Sequence, residues 1–490
     1  MESTLLEQAS ALTADILKYN PSHRKQGNNA HLAVLSPACR LPDDVVRTIF
    51  MATLPSTRNP GISPDEAPLL LVRIWKPWRD IALQTPRLWA SIHIVVTSLA
   101  IIPRLTEVVM NWLNRSGALP LDICLLPSER LRFRTTNPQS GSISLLLSAL
   151  IQTSRRWRKV RFFLSKNDAE TLLQQLSRDD VPLLKVITIA SPPATKSNEH
   201  ILCRSLSFLA APSIRRLTLT AAPGNASYRA PAAWGNLTYL KIVHTSEIDP
   251  ATVSKTDWAK GSIPAKRALE ILRQCTALRL CELSLAGEVS LYHFTSFSLP
   301  CLEDLTIHDF FGKTDDTTFF KYIELPNLRF YSFEAYHWPA PQAIPVPSTT
   351  LSSLQHLQLS PGPSSETILA ILARTTRLEE LFLRVVPAPH LENADNYDNH
   401  FLRALTDVAA PICPTLRSLE IRSGDKLTET EIIDFVSRRI STGVFMRFVT
   451  LLNGSQQLDV AAHLHDVLPI GFELIVRYTS PYPHLGMRED

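Results

Sequence analysis

Reactive residue types are scattered along this chain, and none of them forms a spacing that supports catalysis or metal binding. The 14 histidines and seven cysteines include no His-Glu-x-x-His pattern and no Cys-x-x-Cys pair, which are spacings that hold a zinc ion. The sequence also lacks a Gly-x-Ser-x-Gly elbow and the glycine-rich loops that cradle phosphate groups. It therefore predicts a protein that is not an enzyme, with no cofactor and no metal site, whose chemistry is noncovalent binding.

The residues best suited to noncovalent binding flank the members of a repeated apolar pattern. Each copy has an apolar residue, two variable positions, an apolar residue, one variable position and a last apolar residue. The copies begin at Trp157 and include Leu280/Leu283/Leu285, Leu302/Leu305/Ile307, Leu416/Leu419/Ile421 and a degraded last one, Met446/Val449/Leu451. Because side chains alternate along a strand, the variable residues on either side of the middle apolar residue are predicted to share one face.

These variable positions supply the candidate binding residues of the chain. They are Lys159, Arg161, Arg216, Tyr239, Lys241, Glu282, Asp304, Phe330, His356, Glu380, Phe382 and Glu420. The charged residues among them are basic in the first four copies and acidic in the later ones, and three aromatic residues punctuate the row. We hypothesise a polarised concave surface that recognises a protein partner with the complementary charge layout. The alternative is that these positions only keep the face soluble.

The repeats predict an α/β fold in which a curved parallel sheet carries helices and loops on its convex side. A short strand with a helix or loop return at this period is the leucine-rich-repeat arrangement, in which each unit buries its apolar residues only against its neighbours. Residues 151–455 are predicted to form this irregular solenoid. A transition segment at 95–150 precedes it, and a C-terminal cap and tail at 456–490 follow it.

A small all-α module is predicted ahead of the repeats, at residues 36–94, after an N-terminal helix and polar linker at 1–35. Its first helix starts at Pro42, with Asp43 and Asp44 in the first turn, where they complement the helix dipole. Pro77 is predicted to open a third helix because proline is tolerated in a first turn but breaks a helix interior. The module has more large apolar residues than so small a unit can bury, which is typical of a docking surface.

The motif order in this module resembles the F-box-like domain, in the form found in a large family of mushroom-forming fungi. The motifs are Leu41-Pro42, Ile49-Phe50, Leu54-Pro55, Trp78-Arg79-Asp80-Ile81-Ala82 and Thr85-Pro86-Arg87-Leu88-Trp89. The resemblance implies a substrate receptor of a cullin-RING (SCF-type) ubiquitin ligase. In that family the F-box helices dock on the Skp-type adaptor, and through it on the cullin, while the repeats bind a protein substrate, which this sequence does not identify.

Carried onto this chain, the resemblance also implies a set of docking residues. They are Leu41, Pro42, Val45, Ile49, Phe50, Leu70, Leu71, Ile74, Trp78 and Ile81. Trp89 would instead brace the module against the first strand of the next domain. The sequence departs from the family between the second and third helices, where Trp75 and Pro77 stand at positions that commonly hold a cysteine and a basic residue.

The bulk composition argues against other classes of protein. A net charge of +4, from 50 basic and 46 acidic residues, is small for a nucleic-acid-binding protein of this length. No apolar run reaches the roughly 18 residues that a membrane span needs, and the first residues do not form a secretory signal. Cysteines without a pairing pattern indicate a reducing compartment, so we expect a cytoplasmic or nuclear protein.

Two alternative functions stay open at this point. The first is a leucine-rich-repeat scaffold for protein interactions, whose F-box-like helices pack inward and never meet a ligase. The second is a nucleic-acid-associated protein that uses the basic cluster Arg155-Arg156-Trp157-Arg158-Lys159-Val160-Arg161.

Overall fold

The computed structural model describes sixteen stretches of the chain in two compact units. The described residues are 40–128, 143–164, 168, 175–190, 206–220, 232–243, 263–286, 294–309, 319–335, 351–360, 364–384, 397–407, 412–422, 427–441, 443–453 and 455–479. Unit 1 comprises Met1–Pro192 with Ser205–Ile214, and unit 2 comprises Pro193–Arg204 with Arg215–Asp490. The N-terminal helix and linker predicted at 1–35 lie outside the described residues.

The described part of unit 1 begins with three short helices, which we name the helical module. They are α1 (Asp43–Ala52), α2 (Leu71–Ile74) and α3 (Lys76–Leu83). Helix α1 starts directly after Pro42, and Asp43 and Asp44 lie in its first turn, where the exposed backbone N–H groups favour negative charge. Pro77 lies in the first turn of α3, as the sequence predicts, because its missing N–H costs no helical hydrogen bond there.

The rest of unit 1 alternates strands and helices around a small parallel sheet. Its elements are β1 (Ser91–Val96), α4 (Ile102–Arg115), β2 (Leu121–Pro127), α5 (Ser144–Ile151), β3 (Trp157–Phe163) and β4 (Val186–Ala190). The spatial order of the strands is β1-β2-β3-β4, and the pairs are parallel. Two of these strands precede the first copy of the apolar pattern, so the parallel sheet of unit 1 starts earlier in the chain than the pattern does.

Unit 2 contains a longer series of parallel strands. They are β5 (Arg216–Thr220), β6 (Tyr239–Val243), β7 (Ile263–Pro264), β8 (Leu280–Ala286), β9 (Phe297–Ser298), β10 (Asp304–Asp309), β11 (Ile323–Glu324), β12 (Phe330–Ala335), β13 (His356–Ser360), β14 (Glu380–Arg384), β15 (Ser418–Arg422), β16 (Arg447–Asn453) and β17 (Glu473–Thr479). The main order is β5-β6-β8-β10-β12-β13-β14-β15-β16-β17, while β7 pairs with β8 and β9 pairs with β11. Each main strand therefore lies beside the one that precedes it in the chain.

The helices of unit 2 occupy the returns between some of these strands. They are α6 (Ala265–Leu272), α7 (Ser365–Leu372), α8 (Asn399–Ala404), α9 (Glu429–Ile440) and α10 (Val460–Leu464). Helix α9 begins with a capping box, in which Thr428 and Glu431 satisfy each other's backbone N–H groups. Within the described ranges, no helix is both long enough and apolar enough to cross a lipid bilayer.

The predicted mixed α/β fold with a parallel repeat sheet is confirmed, and the apolar pattern forms its core. In β10, for example, Leu302, Leu305 and Ile307 are at most 2% exposed. The same holds for Leu416, Leu419 and Ile421 around β15, which are fully buried. Strands stacked in this way share one apolar layer, which no single copy could bury alone.

The position of the copy in β8 is wrong in the sequence prediction. The strand register aligns Cys281 with Leu305 and Leu283 with Ile307, so the buried residues are Leu278, Cys281 and Leu283. Cysteine behaves as a small apolar residue in a core, and it replaces the middle leucine here. As a consequence Leu280 lies on the opposite face, and Glu282 aligns with Thr306 instead of Asp304.

The last copy of the pattern is also shifted. Met446 was predicted to start it, but Met446 is 38% exposed, whereas Phe445 and Phe448 are buried. The register aligns Phe448 with Leu419 and Thr450 with Ile421. Thr450 is a polar residue at a buried position, which hides the correct spacing from a search for apolar residues.

Candidate functional site

The helical module closes its own small core around two aromatic rings. Phe50 of α1 and Trp78 of α3 pack edge to face, with ring centroids 5.3 Å apart, a favoured aromatic geometry. Both rings are buried, and so is Leu71 of α2. These predicted docking residues therefore lie in the core of the module and not on its surface.

The other predicted docking residues keep part of their apolar surface accessible. Pro42 is exposed, Val45 is 38% exposed, and the remaining five are half-buried: Leu41, Ile49, Leu70, Ile74 and Ile81. Val45 and Ile49 are four residues apart on α1, so they lie on one face of that helix. We name Pro42, Val45 and Ile49 the apolar strip.

The turn between α2 and α3 is fixed within the module. Trp75 has an extended backbone (φ −155°, ψ 146°), which separates the two helices. The guanidinium of Arg79 donates from Nε to the backbone oxygen of Val72 at 2.7 Å and ties the helices together. Trp75 is half-buried and Pro77 is exposed, so both residues contribute to the accessible surface at this turn.

Tryptophans and an asparagine fasten the helical module to the first strands of unit 1. The indole of Trp89 donates to the backbone oxygen of Ala82 at 2.9 Å and packs edge to face on Trp112, with centroids 5.0 Å apart. Trp112 in turn donates to the backbone oxygen of Ser91 at 3.1 Å. Asn59 donates to the backbone oxygens of both Ile92 (3.2 Å) and Asp122 (3.0 Å). The sequence prediction assigned this bracing to Trp89, and the structure adds Trp112 and Asn59 to it.

Several residues of the basic cluster in unit 1 are engaged within the unit. Arg158 forms a two-bond ion pair with Asp122, at 2.9 and 2.8 Å, and the amine of Lys159 lies 3.9 Å from the same carboxylate. Arg156 donates to the backbone oxygen of Leu119 at 3.0 Å and to the hydroxyl of Ser116. Strand β3 contains two of the predicted binding residues. Arg161 is exposed, whereas Lys159 and Arg158 share the carboxylate of Asp122.

In unit 2 the predicted binding residues come together on one side of the strands, opposite the buried apolar positions. We name this side the open face. Strand register arranges it in rows, of which the first is Arg216, Tyr239, Leu280, Asp304, Phe330, His356 and Glu380. The second row is Lys241, Glu282, Thr306, Ser332, Gln358, Phe382 and Glu420.

A continuous chain of polar contacts crosses five strands of the open face. Lys241 pairs with Glu282 at 2.8 Å, and the other oxygen of Glu282 lies 3.1 Å from Nε2 of His308. Nδ1 of His308 lies 3.2 Å from Oε2 of Glu334, whose Oε1 accepts from Gln358 at 3.1 Å. All four oxygens of the two glutamates are therefore engaged by donors of the chain itself.

The geometry of these polar contacts favours the doubly protonated, positively charged form of His308. A carboxylate can only accept hydrogen bonds, so both ring nitrogens must donate, which requires the positively charged imidazolium. Burial lowers the pKa of His308, but the hydrogen bonds to Glu282 and Glu334 outweigh this effect and hold the pKa above its ordinary value. Burial raises the pKa of Glu282, but its bonds to His308 and Lys241 lower the pKa by more. The pKa of Glu282 therefore lies below its ordinary value.

Asp304 differs from the glutamates of the open face. It is half-buried, and its carboxylate forms no hydrogen bond or ion pair with any residue in the part of the chain that the structure describes. Burial and the neighbouring charge of Glu282 raise the pKa of Asp304 to about 6, although the charge of His356 acts in the opposite direction. The ionised carboxylate of Asp304 therefore has no hydrogen-bond donor held next to it by the described residues.

The remaining predicted acids of the open face have basic partners. Glu380 lies 3.1 Å from Nδ1 of His356. Glu420 is buried and accepts from Arg422 at 2.7 Å and from Arg447 at 3.3 Å. Glu282 and Glu420 therefore have charged partners within unit 2, and Glu380 has a histidine beside it. Asp304 is the predicted acid of this face without such a partner among the described residues.

His308, Glu334 and Arg422 occupy a third row of the open face and are not among the binding residues predicted from the sequence. They come directly after the last apolar residue of their copies, and the strands continue through them. A consistent count of alternating positions to the end of each strand would have included them.

The arrangement as a whole is suited to noncovalent recognition of another molecule. Aromatic rings, ion pairs and the carboxylate of Asp304, which is unpaired among the described residues, lie on a preformed strand face, where side chains are held by their neighbours. Among the described residues, no group of histidine, cysteine, aspartate and glutamate side chains has an arrangement that could hold a metal ion. In comparisons with known proteins, no family model matches the chain and no curated protein is similar to it.

Proposed function

We propose that this chain is a substrate-recruiting adaptor of a cullin-RING ubiquitin ligase. In this proposal the helical module is an F-box-like domain that docks on a Skp-type adaptor, and unit 2 is a leucine-rich-repeat domain whose open face binds the protein substrate. The chain would make no covalent bond itself. It would act by raising the effective concentration of the substrate near the ligase.

The observation that carries the proposal is the apolar strip on a module whose core is already complete. Phe50 and Trp78 fill the interior, so the accessible surface of Val45 and Ile49 is not needed for the packing of the module. Apolar surface on one side of a helix is a common way to bind a partner protein. Because the motif order of the module resembles that of F-box-like domains, the expected partner of the apolar strip is a Skp-type adaptor.

Replacing Val45 or Ile49 by lysine is expected to abolish binding to the Skp-type adaptor. Each substitution places a charge in the proposed interface, where its desolvation is not compensated. The measurement is co-purification of the full chain with the adaptor, followed by titration calorimetry. Leu83→Lys is the matched control, because Leu83 is a 37% exposed apolar residue of the same module that lies outside the predicted docking set.

The result with the unaltered chain separates the proposal from its alternatives. A chain that forms no complex with the adaptor contradicts the ligase function and favours the leucine-rich-repeat scaffold. Equal binding by the Val45, Ile49 and Leu83 variants would show that α1 is not the docking surface. A steep loss of binding to generic DNA with rising salt would instead indicate the nucleic-acid alternative.

A further inference from the structure

In the part of the open face that the structure describes, the chain itself forms a complete binding site for a guanidinium group. Phe382 of β14 and Glu420 of β15 are directly paired in the strand register. The guanidinium carbon of Arg422 lies 5.3 Å from the ring centroid of Phe382, and its Nε donates to Glu420 at 2.7 Å. An aromatic residue and a carboxylate at paired positions thus hold an arginine between a ring face and a charge-assisted hydrogen bond.

The same pair of residue types occurs elsewhere on the face without an arginine. Asp304 of β10 and Phe330 of β12 are directly paired in the register, with the carboxylate and the ring in the reverse order along the sheet. Tyr239 in the same row has the guanidinium of Arg216 at 4.5 Å from its ring centroid. Within the described ranges, neither Asp304 nor Phe330 has a lysine or arginine partner.

The surroundings of this pair suit a long basic side chain. Leu280 is paired with Asp304 on the other side and is half-buried, so it offers apolar surface to the methylene groups of such a side chain. Glu282 adds negative charge but has both oxygens engaged by Lys241 and His308. The ring of His356 lies against Phe330, with centroids 6.0 Å apart, and holds that ring in place.

We propose that Asp304 and Phe330 hold an arginine side chain from a protein partner that lies across the open face. This inference rests on the proposed function only in taking the open face as the surface that binds a partner. Arginine fits better than lysine because its planar guanidinium can stack on a ring and bond a carboxylate at the same time. Binding also requires the ionised carboxylate of Asp304, on which the charges of Glu282 and His356 act in opposite directions. It should therefore strengthen as the pH rises from 5 to 7.5 through the pKa of Asp304, which is about 6.

The test uses the full chain and three immobilised sets of nine-residue peptides with random flanks. The central residue is arginine in one set, its neutral isostere citrulline in the second, and lysine in the third. We expect about tenfold greater retention on the arginine set than on the citrulline set, from one charge-assisted bond and one cation–π contact. Asp304→Asn and Phe330→Leu should remove this preference, because the first deletes the charge and the second deletes the ring while keeping apolar volume.

Glu303→Gln is the matched control. It changes the net charge by the same amount at the adjacent residue, which is exposed and precedes β10. Asp304→Asn removes a charge that burial disfavours, so we expect this variant to fold. Retention of the arginine preference in Asp304→Asn, or equal retention of the three peptide sets by the unaltered chain, would overturn the inference. Binding to the Skp-type adaptor is scored separately, so the adaptor proposal and the arginine proposal can fail independently.

Discussion

Replacing Trp78 by alanine is expected to destabilise the helical module by about 3–5 kcal/mol in free energy of unfolding. Trp78 is 7% exposed, and its ring packs on Phe50 at a centroid distance of 5.3 Å. The substitution removes the largest side chain of the module's core and leaves a cavity between α1 and α3. A module of three short helices has few other apolar contacts with which to offset that loss.

Hydrogen exchange is the measurement that locates this effect. Amide protection should be lost in α1 and α3 of the variant and retained in the strands of unit 2. Trp75→Ala is the control, since the neighbouring tryptophan is half-buried and its removal should cost much less. Unchanged protection of α1 and α3 in Trp78→Ala would contradict the assignment of Trp78 to the core.

The expected unfolding of the helical module in Trp78→Ala limits which substitutions can test docking on the Skp-type adaptor. A Trp78 variant that fails to bind the Skp-type adaptor reports an unfolded module, and so does a Phe50 variant. Val45 and Ile49 carry accessible surface next to a core that they do not complete. They are therefore the positions at which lost binding can be attributed to the interface.

The apolar spacing was enough to predict the fold class because each copy buries the same three positions against its neighbours. It failed where another residue type filled one of those positions. Cys281 occupies the middle apolar position of its copy, and Thr450 occupies the last apolar position of another. The apolar spacing therefore placed the starts of these two copies at Leu280 and Met446. In both copies the neighbouring strands determine the register, and a single copy read alone does not contain that information.

The charge layout of the open face was less predictable than the fold. The prediction considered two positions in each copy and did not include the third row. His308 of that row contacts Glu282 on one neighbouring strand and Glu334 on the other, while Arg422 pairs with Glu420 of its own strand and lies over the ring of Phe382 on the adjacent strand. The contact between Glu282 and His308 joins two repeats, so the partner of this predicted acid is not visible in either repeat read alone.

The ion pairs around His308 lead to a prediction about stability and pH. His308→Gln is expected to lower the stability of β8, β10 and β12 by about 2–3 kcal/mol at pH 6, because a glutamine amide cannot replace two charge-assisted bonds. The side chain of His308 is 15% exposed, and those of Glu282 and Glu334 are 26% and 27% exposed. Solvent therefore screens these bonds only in part.

The sign of the pH dependence follows from the raised pKa of His308. A histidine in the unfolded chain titrates near about pH 6.5, and the folded protein holds the proton to higher pH. The stabilisation is therefore fully present below about pH 6.5 and is lost as the pH rises through the pKa in the folded protein. Asp304 also has a raised pKa, about 6, so its contribution to stability changes with pH mainly below about pH 6, and it is present in both proteins that are compared.

Hydrogen exchange of β8, β10 and β12 between pH 6 and pH 8.5, corrected for the intrinsic exchange rate, measures the effect. The stability difference between the unaltered chain and His308→Gln should shrink as the pH rises, because only the unaltered chain loses a stabilising proton. The control is His465→Gln, since the side chain of His465 is 87% exposed and should show no such trend. A difference that stays constant over this range would mean that His308 does not carry the second proton, and the two-carboxylate geometry would then need another donor.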